Sequence, residues 1–414
     1  MEAVTHQRER LGRFVDLARV YRGWTKGELS TALRRDPTKI IPQSGNPKLD
    51  LIAGIAEALD WTIGDVAESV CNDTTVRSNR DDETSFDSMD KAVYEAHREA
   101  RWNDMIDLSK AMLSKAETPK QRAIAFNRMA GGYNGLGRYA NALRVIQAAI
   151  TEPGIPESTR FMLHINLANA HYTLWHLVEA KSIASELISQ IGTVDRAERN
   201  ERARFAFLKF VRGNSIRRMM SESDSRIRML AEMSREDLSD ACDMYEELNK
   251  EFDEPYYRGL RNVCRGALIE IDAADGASSA EDAVKRVLEG LDGVVDPSQV
   301  EPDIELESWG WWAIFGCNIT LRHLSGDKMH RHMAVFTNKA IEIGERLGNW
   351  SMRERAFTLE HFRRQQADIQ GVSQEPWPLD DEDIRVITGT MGRFPAFRDV
   401  GWQILQNAQV LESE

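Results

Sequence analysis

Two stretches of this chain can be laid over each other at an offset of 38 residues, and that self-similarity constrains the fold more than any other feature. The first, AFNRMAGGYNGLGRYANALRVIQAAITEP, covers 125–153; the second, LHINLANAHYTLWHLVEAKSIASELIS, covers 163–189. With Ala142 set on Ala180, Ala130 falls on Ala168, Tyr133 on His171, Tyr139 on Leu177 and Ala149 on Leu187. Small residues recur where two helices cross closely, and larger ones fill the space between. Gly135 to Gly137 make the first turn, and Trp175-His176 replace it in the second. A unit of two helices and a tight turn cannot bury its apolar face alone. Stacked neighbours bury it together, as a continuous superhelix with a concave groove.

These two segments resemble tetratricopeptide repeats: a first helix with small and aromatic positions, a tight turn, then a second helix with Ala at its crossing and Pro after its end. The offset exceeds the usual period of about 34 residues, and Pro153-Gly-Ile-Pro156 supplies the extra loop. Fainter helices follow at 198–220, 237–252 with 256–274, 280–291, 309–324 with 329–347 across Ser325-Gly326-Asp327, then 351–370 and 380–411. No period-2 alternation stands out, so the expected fold class is all-α. The repeat resemblance runs over residues 90 to 350, falling in strength along the way.

The N-terminal stretch is different in kind. Leu11, Phe14, Val15, Ala18 and Tyr21 have helical spacing, and Gly23 ends that helix. Thr25-Lys-Gly-Glu28 is a capping box opening a second helix that buries Leu29, Ala32 and Leu33. Asp36-Pro37 has the chemistry of a third helix start, and Pro42 stops that helix after a few residues. A loop at 43–47 leads to a fourth helix on Leu49, Ile52, Ile55, Ala56 and Leu59, and to a fifth on Trp61, Ile63 and Val66. RGWTKGELSTAL followed by NPKLDLIAGIAEALDWTIGDV resembles the phage-repressor-like (Xre) helix-turn-helix family, over most of residues 11 to 68. That resemblance implies base contacts from Thr38, Lys39 and Gln43 and phosphate contacts from Lys26, Arg34 and Arg35. The chain departs from the family after Leu33, where a glycine is replaced by Arg34, and at Ile40-Ile41-Pro42, which cuts the third helix short.

Charge follows the same division. The whole chain carries a formal charge of −13, which argues against a protein that coats nucleic acid. Residues 1–48, however, hold ten Lys or Arg against five acids, a net +5. The expected domains are therefore a DNA-binding head at 1–70, a linker at 71–88 (its stretch NDTTVRSNRDDETSFDS is almost free of apolar residues) and a helical-repeat body at 89–414. The long apolar run of a membrane span and the h-region of a secretory signal are both missing, and Cys71, Cys242, Cys264 and Cys317 are scattered. A cytoplasmic chain with reduced thiols is expected.

Motifs of catalysis are absent: no Gly-rich phosphate loop, no His-Glu-x-x-His and no Gly-x-Ser-x-Gly. Neither an enzyme activity, a metal nor a cofactor is expected. His323, His330 and His332 sit at a repeat turn without the Cys or acidic neighbours of a metal site. Trp309, Trp311, Trp312 and Phe315, and Met219, Met220, Met229 and Met233, are expected to pack. The candidate ligand residues lie on first helices of the repeats, where tetratricopeptide proteins commonly hold their ligands. Asn127, Asn134, Asn166 and Asn169 have amides able to pair with both N–H and C=O of an extended peptide. Arg204, Lys209, Arg212 and Asn214 on the next helix suit a carboxylate. The same residues also fit an ordinary polar surface.

An Xre-type head on a tetratricopeptide body resembles the peptide-sensing regulators of the Rap, Rgg, NprR, PlcR and PrgX group. The resemblance implies a homodimeric transcription regulator that binds a palindromic DNA operator and takes a signalling peptide or protein in its groove. A non-enzymatic scaffold, whose head makes protein contacts, stands beside it as the alternative.

Overall fold

The computed structural model describes residues 2–42, 46–59, 61, 63–71, 85–191, 198–220, 226–294, 296–300, 302–369 and 377–410. The chain divides into two compact units, Met1–Asp82 and Glu83–Glu414. Among the described residues, no helix is long and apolar enough to cross a membrane.

The first unit contains α1 (Glu2–Arg22), α2 (Lys26–Ala32), α3 (Leu49–Leu59) and α4 (Ile63–Cys71). Its core gathers Leu11, Val15, Ala18, Leu29, Leu33, Leu51, Ile55 and Val66. The capping box at the start of α2 is formed: the Glu28 amide donates to Thr25 Oγ1 at 3.3 Å and the Thr25 amide to Glu28 Oε2 at 2.8 Å. Arg22 ties α1 to the end of α3, its Nε donating to the Ala58 carbonyl at 2.7 Å.

α2 ends in a left-handed turn. Arg34 has φ of 54°, and the amides of Arg34 and Arg35 donate to the carbonyls of Thr31 and Ser30. This satisfies carbonyls that the helix end would leave open, in the arrangement that usually places glycine at the left-handed residue. The third helix expected from Asp36 is not formed; residues 36–41 are turns. Thr38 donates to Asp36 Oδ1 through both its amide (2.8 Å) and its hydroxyl (2.6 Å). Such local bonds compete with a helix ladder, and too few residues lie before Pro42 to repay nucleation. Ile40, buried on the core, anchors the turn instead.

The second unit opens with three helix pairs: α5 (Phe86–Arg98) with α6 (Trp102–Lys115), α7 (Pro119–Gly135) with α8 (Tyr139–Thr151), and α9 (Glu157–Thr173) with α10 (Leu177–Ile191). The second and third pairs are the two repeats read from the sequence. The first begins at Phe86, within the stretch read as linker. All three turn in the same way. Ala100, Gly137 and Trp175 have φ of 53°, 69° and 66°, and in each turn the next residue's amide reaches back to the preceding helix: Arg101 to Ala96, Arg138 to Tyr133, His176 to His171. Ala142 and Ala180 are buried at the helix crossings, as are Ala130 and Ala168.

Longer helices continue the stack: α11 (Arg199–Met219), α12 (Ile227–Phe252), α13 (Pro255–Asp275), α14 (Ala280–Leu291), α15 (Asp303–His323), α16 (Gly326–Arg346) and α17 (Trp350–Ile369). α12 starts ahead of its expected position, because Met229 and Met233, expected to pack, are exposed there and hide the helical pattern. Trp312 and Phe315 belong to the core. The last expected helix is broken into α18 (Asp381–Arg393) and α19 (Arg398–Asn407) around Pro395. Short strands β1 (Trp377–Leu379) and β2 (Ala408–Val410) pair in parallel, Trp377 opposite Ala408. Among the described residues the fold is all-α apart from this pair.

The C-terminal elements fold back onto the repeat turns. Tyr139 and Leu174, beside the turns of the second and third pairs, share one apolar cluster with Phe357 of α17, Ile387 and Met391 of α18 and Phe397. The stack therefore encloses space between its early turns and its last helices.

Candidate functional site

That space is a cavity of about 640 Å³. The turn after α9 contributes Trp175, the end of α11 Arg217 and Arg218, α13 Glu270, α15 Trp311, Asn318 and Arg322, and α17 Glu354, Arg355 and Phe362. The volume lies in the range of about 300–1,000 Å³ that small ligands fill, and apolar walls with a few placed polar groups are the usual make-up of such sites.

Trp175 is the residue most out of keeping with its backbone. A bulky side chain at positive φ is an outlier, and the left-handed conformation costs roughly 1–2 kcal/mol. The ring is held by guanidinium groups: Arg218 Cζ lies 4.4 Å and Arg355 Cζ 4.5 Å from its centroid. Arg218 also lies 3.9 Å from the Tyr172 ring and donates to the Tyr172 carbonyl at 3.0 Å. Burial, with repulsion from Arg217 and Arg355 behind it, pushes the Arg218 guanidinium down to about 10, still charged at neutral pH. Burial lowers Arg355 as well.

Among the described residues, the charged groups lining the cavity include Arg217, Arg218, Arg322 and Arg355 with Glu270 and Glu354. Glu270 is engaged: it accepts from Arg217 at 2.6 Å and from Asn318 at 3.2 Å. Arg217 also donates to Asn214 Oδ1 at 3.1 Å. Arg322 donates to the Met220 carbonyl at 3.1 Å. Glu354 accepts from Thr358 at 2.9 Å on Oε1, while its Oε2 is buried with no hydrogen-bond partner among the described residues. Arg355 has its ring contact with Trp175, and the charges of Glu354 and Glu270 act on it from within the cavity wall.

The residues expected to bind ligand fall elsewhere, or are occupied. Asn166 donates to Asn127 at 2.7 Å across α9 and α7, so the amides hold each other; Asn169 is half-buried and Asn134 exposed. Lys209 is paired with Asp237 at 3.0 Å and Asp240 at 2.8 Å, and Arg212 grips Asp237 with two bonds of 2.6 Å. Asn214 is fully buried and bonded to the Phe210 carbonyl. Lys209 and Arg212 thus tie α11 to α12, Asn214 bonds within α11, and Arg204 is exposed. The sequence did carry a signal for Trp175, a tryptophan at a register position where the preceding repeat has glycine. It carried none for Glu354 or Arg355.

In the first unit Lys26, Arg34, Thr38 and Lys39 are exposed around the end of α2 and the turns after it. Arg35 is committed to Asp50, donating to both carboxylate oxygens at 2.8 Å. Gln43 lies outside the described residues.

No protein-family model matches the chain, and no curated protein does. Among solved structures it is similar to Bacillus thuringiensis PlcR in complex with the peptide PapR7 and DNA, at 17% identity over 69% of this chain and 95% of that one, with a TM-score of 0.35. It is also similar to a Rap protein complexed with Competence and Sporulation Factor, at 12% identity over 94% of this chain and 99% of that one, with a TM-score of 0.42.

Proposed function

We propose that the chain is a non-enzymatic, cytoplasmic transcription regulator whose helical-repeat unit senses a short peptide and whose first unit contacts DNA, the whole working as a homodimer. The observation that carries the sensing half is the cavity of about 640 Å³, walled by Trp175, Trp311 and Phe362 and lined on α17 by both Arg355 and Glu354. A space with that lining suits a ligand with apolar side chains and a carboxylate able to meet a guanidinium. The groove asparagines belong to the same reading: the Asn127–Asn166 pair marks the first helices of adjacent repeats, beside the exposed amide of Asn134. For the DNA half, the support is the net positive charge of residues 1–48 and the exposure of Lys26, Arg34, Thr38 and Lys39.

One observation favours the scaffold reading, in which the head makes protein contacts: the segment expected to enter the major groove is a set of turns at 36–41. Its neighbour α1 also exposes Leu17, Val20 and Tyr21. Genomic DNA fragments captured by the purified full-length protein at two salt concentrations separate the two readings. A discrete palindromic site, lost steeply as salt rises and altered in occupancy by added short peptides, is the expected outcome. Capture of DNA without sequence preference would leave the scaffold reading in its place.

A further inference from the structure

The cavity holds one buried carboxylate oxygen without a hydrogen-bond partner among the described residues. On α17, Glu354 and Arg355 stand side by side in sequence and both line the space. Arg355 is half-buried and feels the charges of Glu354 and Glu270 without a direct ion pair among the described residues, and Glu354 Oε2 has no hydrogen-bond partner there, with the Glu354 residue only 6% exposed. Buried charged groups are ordinarily paired or hydrogen-bonded, and a group left unmatched in a ligand-sized space is what a ligand would satisfy. Trp175 adds a second constraint. Its ring faces the guanidinium groups of Arg218 and Arg355. The forked donors of Arg355 make no hydrogen bond among the described residues, and a planar carboxylate is the anion whose geometry matches a guanidinium fork.

Resting on the peptide-sensing reading, we infer that the ligand is a short peptide recognised through a carboxylate bound at Arg355 beside Trp175, its N–H donors supplying the partner that Glu354 lacks. The apolar remainder of the ligand lies against Trp311, Phe362 and Phe397, which line the same space. The carboxylate is either the peptide's C-terminus or an Asp or Glu side chain, and the test separates these sources.

The experiment uses the purified full-length protein and random short-peptide mixtures of four kinds: free acids or C-terminal amides, each made with or without Asp and Glu. Peptides retained with the protein on gel filtration are identified by mass spectrometry. Retention of free acids even without Asp and Glu, with loss of the amides, establishes the terminal carboxylate. Retention of amides only where Asp or Glu is present establishes the side-chain carboxylate. Amides without acidic residues retained as well as the free acids would overturn the inference and leave the peptide reading standing. Retention of none of the mixtures would overturn both. For any retained peptide, Arg355→Gln is expected to weaken binding at least about tenfold, with Arg355→Lys between it and the parent. Equal affinity in a folded Arg355→Gln protein would also sink the inference. If that variant does not fold, the four mixtures still decide the matter with the unaltered chain.

Discussion

The turns at Gly137 and Trp175 share a backbone and differ in everything placed on it. Both residues are left-handed, at φ of 69° and 66°, and both turns close with the same pair of back-bonds. α17 roofs both. Over Gly137 lies the indole of Trp350, itself stacked on Arg393 at 3.7 Å and on Arg353 at 4.8 Å. Over Trp175 lies Arg355. In the first turn the repeat leaves a gap and the last helices supply the aromatic ring; in the second the repeat supplies the ring and the last helices supply the cation. One is filled and the other borders a cavity. The lesson is that repetition fixes the backbone of these turns, while the residue at the left-handed position decides whether a turn closes the structure or opens a site.

The largest effect is expected at the filled turn. A Cβ on Gly137 would run into the Trp350 ring, and alanine at this φ is strained whatever the space. Overpacking costs about 1–3 kcal/mol and the left-handed conformation about 1–2 kcal/mol. Gly137→Ala is therefore expected to lower the unfolding free energy by about 2–5 kcal/mol, read from the midpoint of urea unfolding. A loss under about 0.5 kcal/mol would show that the C-terminal helices are not seated on this turn as described.

Trp175 gives the complementary measurement. Trp175→Leu keeps apolar bulk and backbone strain but removes the ring's contacts with Arg218 and Arg355. Each cation–π contact is worth about 0.5–1 kcal/mol near a surface, so the expected loss is about 1–2 kcal/mol. A loss of about 3–5 kcal/mol, the range for truncating a core aromatic, would show the ring to be packing. The contrast between the two turns would then collapse.

Local chemistry explains what was legible in the sequence. The turns at 137 and 175, the crossing alanines and the capping box at Thr25 all depend on residues close together in the chain, and each lies where the pattern puts it. The pair α5–α6 turns on the same left-handed backbone at Ala100, within a stretch that begins in the segment expected as linker. The third helix of the head failed for a local reason too: Asp36 looks like a helix cap but spends its side chain on Thr38. The site was legible only in part. Lys209 and Arg212 have the residue types of an anion site, but their partner Asp237 lies on the next helix and no pattern announces it. Arg355 meets Trp175 across most of the unit, a pairing set by the superhelix closing on itself.

The smallest effect is expected where the same turn occurs without a roof. Arg34 is exposed at φ of 54°, and its back-bonds to Thr31 and Ser30 involve only backbone atoms. Glycine at this position removes about 1–2 kcal/mol of left-handed strain and gives back about 0.4–1 kcal/mol through the greater freedom of the unfolded chain. Arg34→Gly is thus expected to raise the stability of the first unit by about 0.5–1 kcal/mol. If Arg34 also holds phosphate, the same change weakens DNA capture uniformly across sequences and flattens its salt dependence by about one charge. A variant that is more stable yet captures DNA with an unchanged salt slope would separate the two roles, leaving Arg34 as a residue tolerated in a glycine turn and moving the phosphate contact to Lys26 or Lys39.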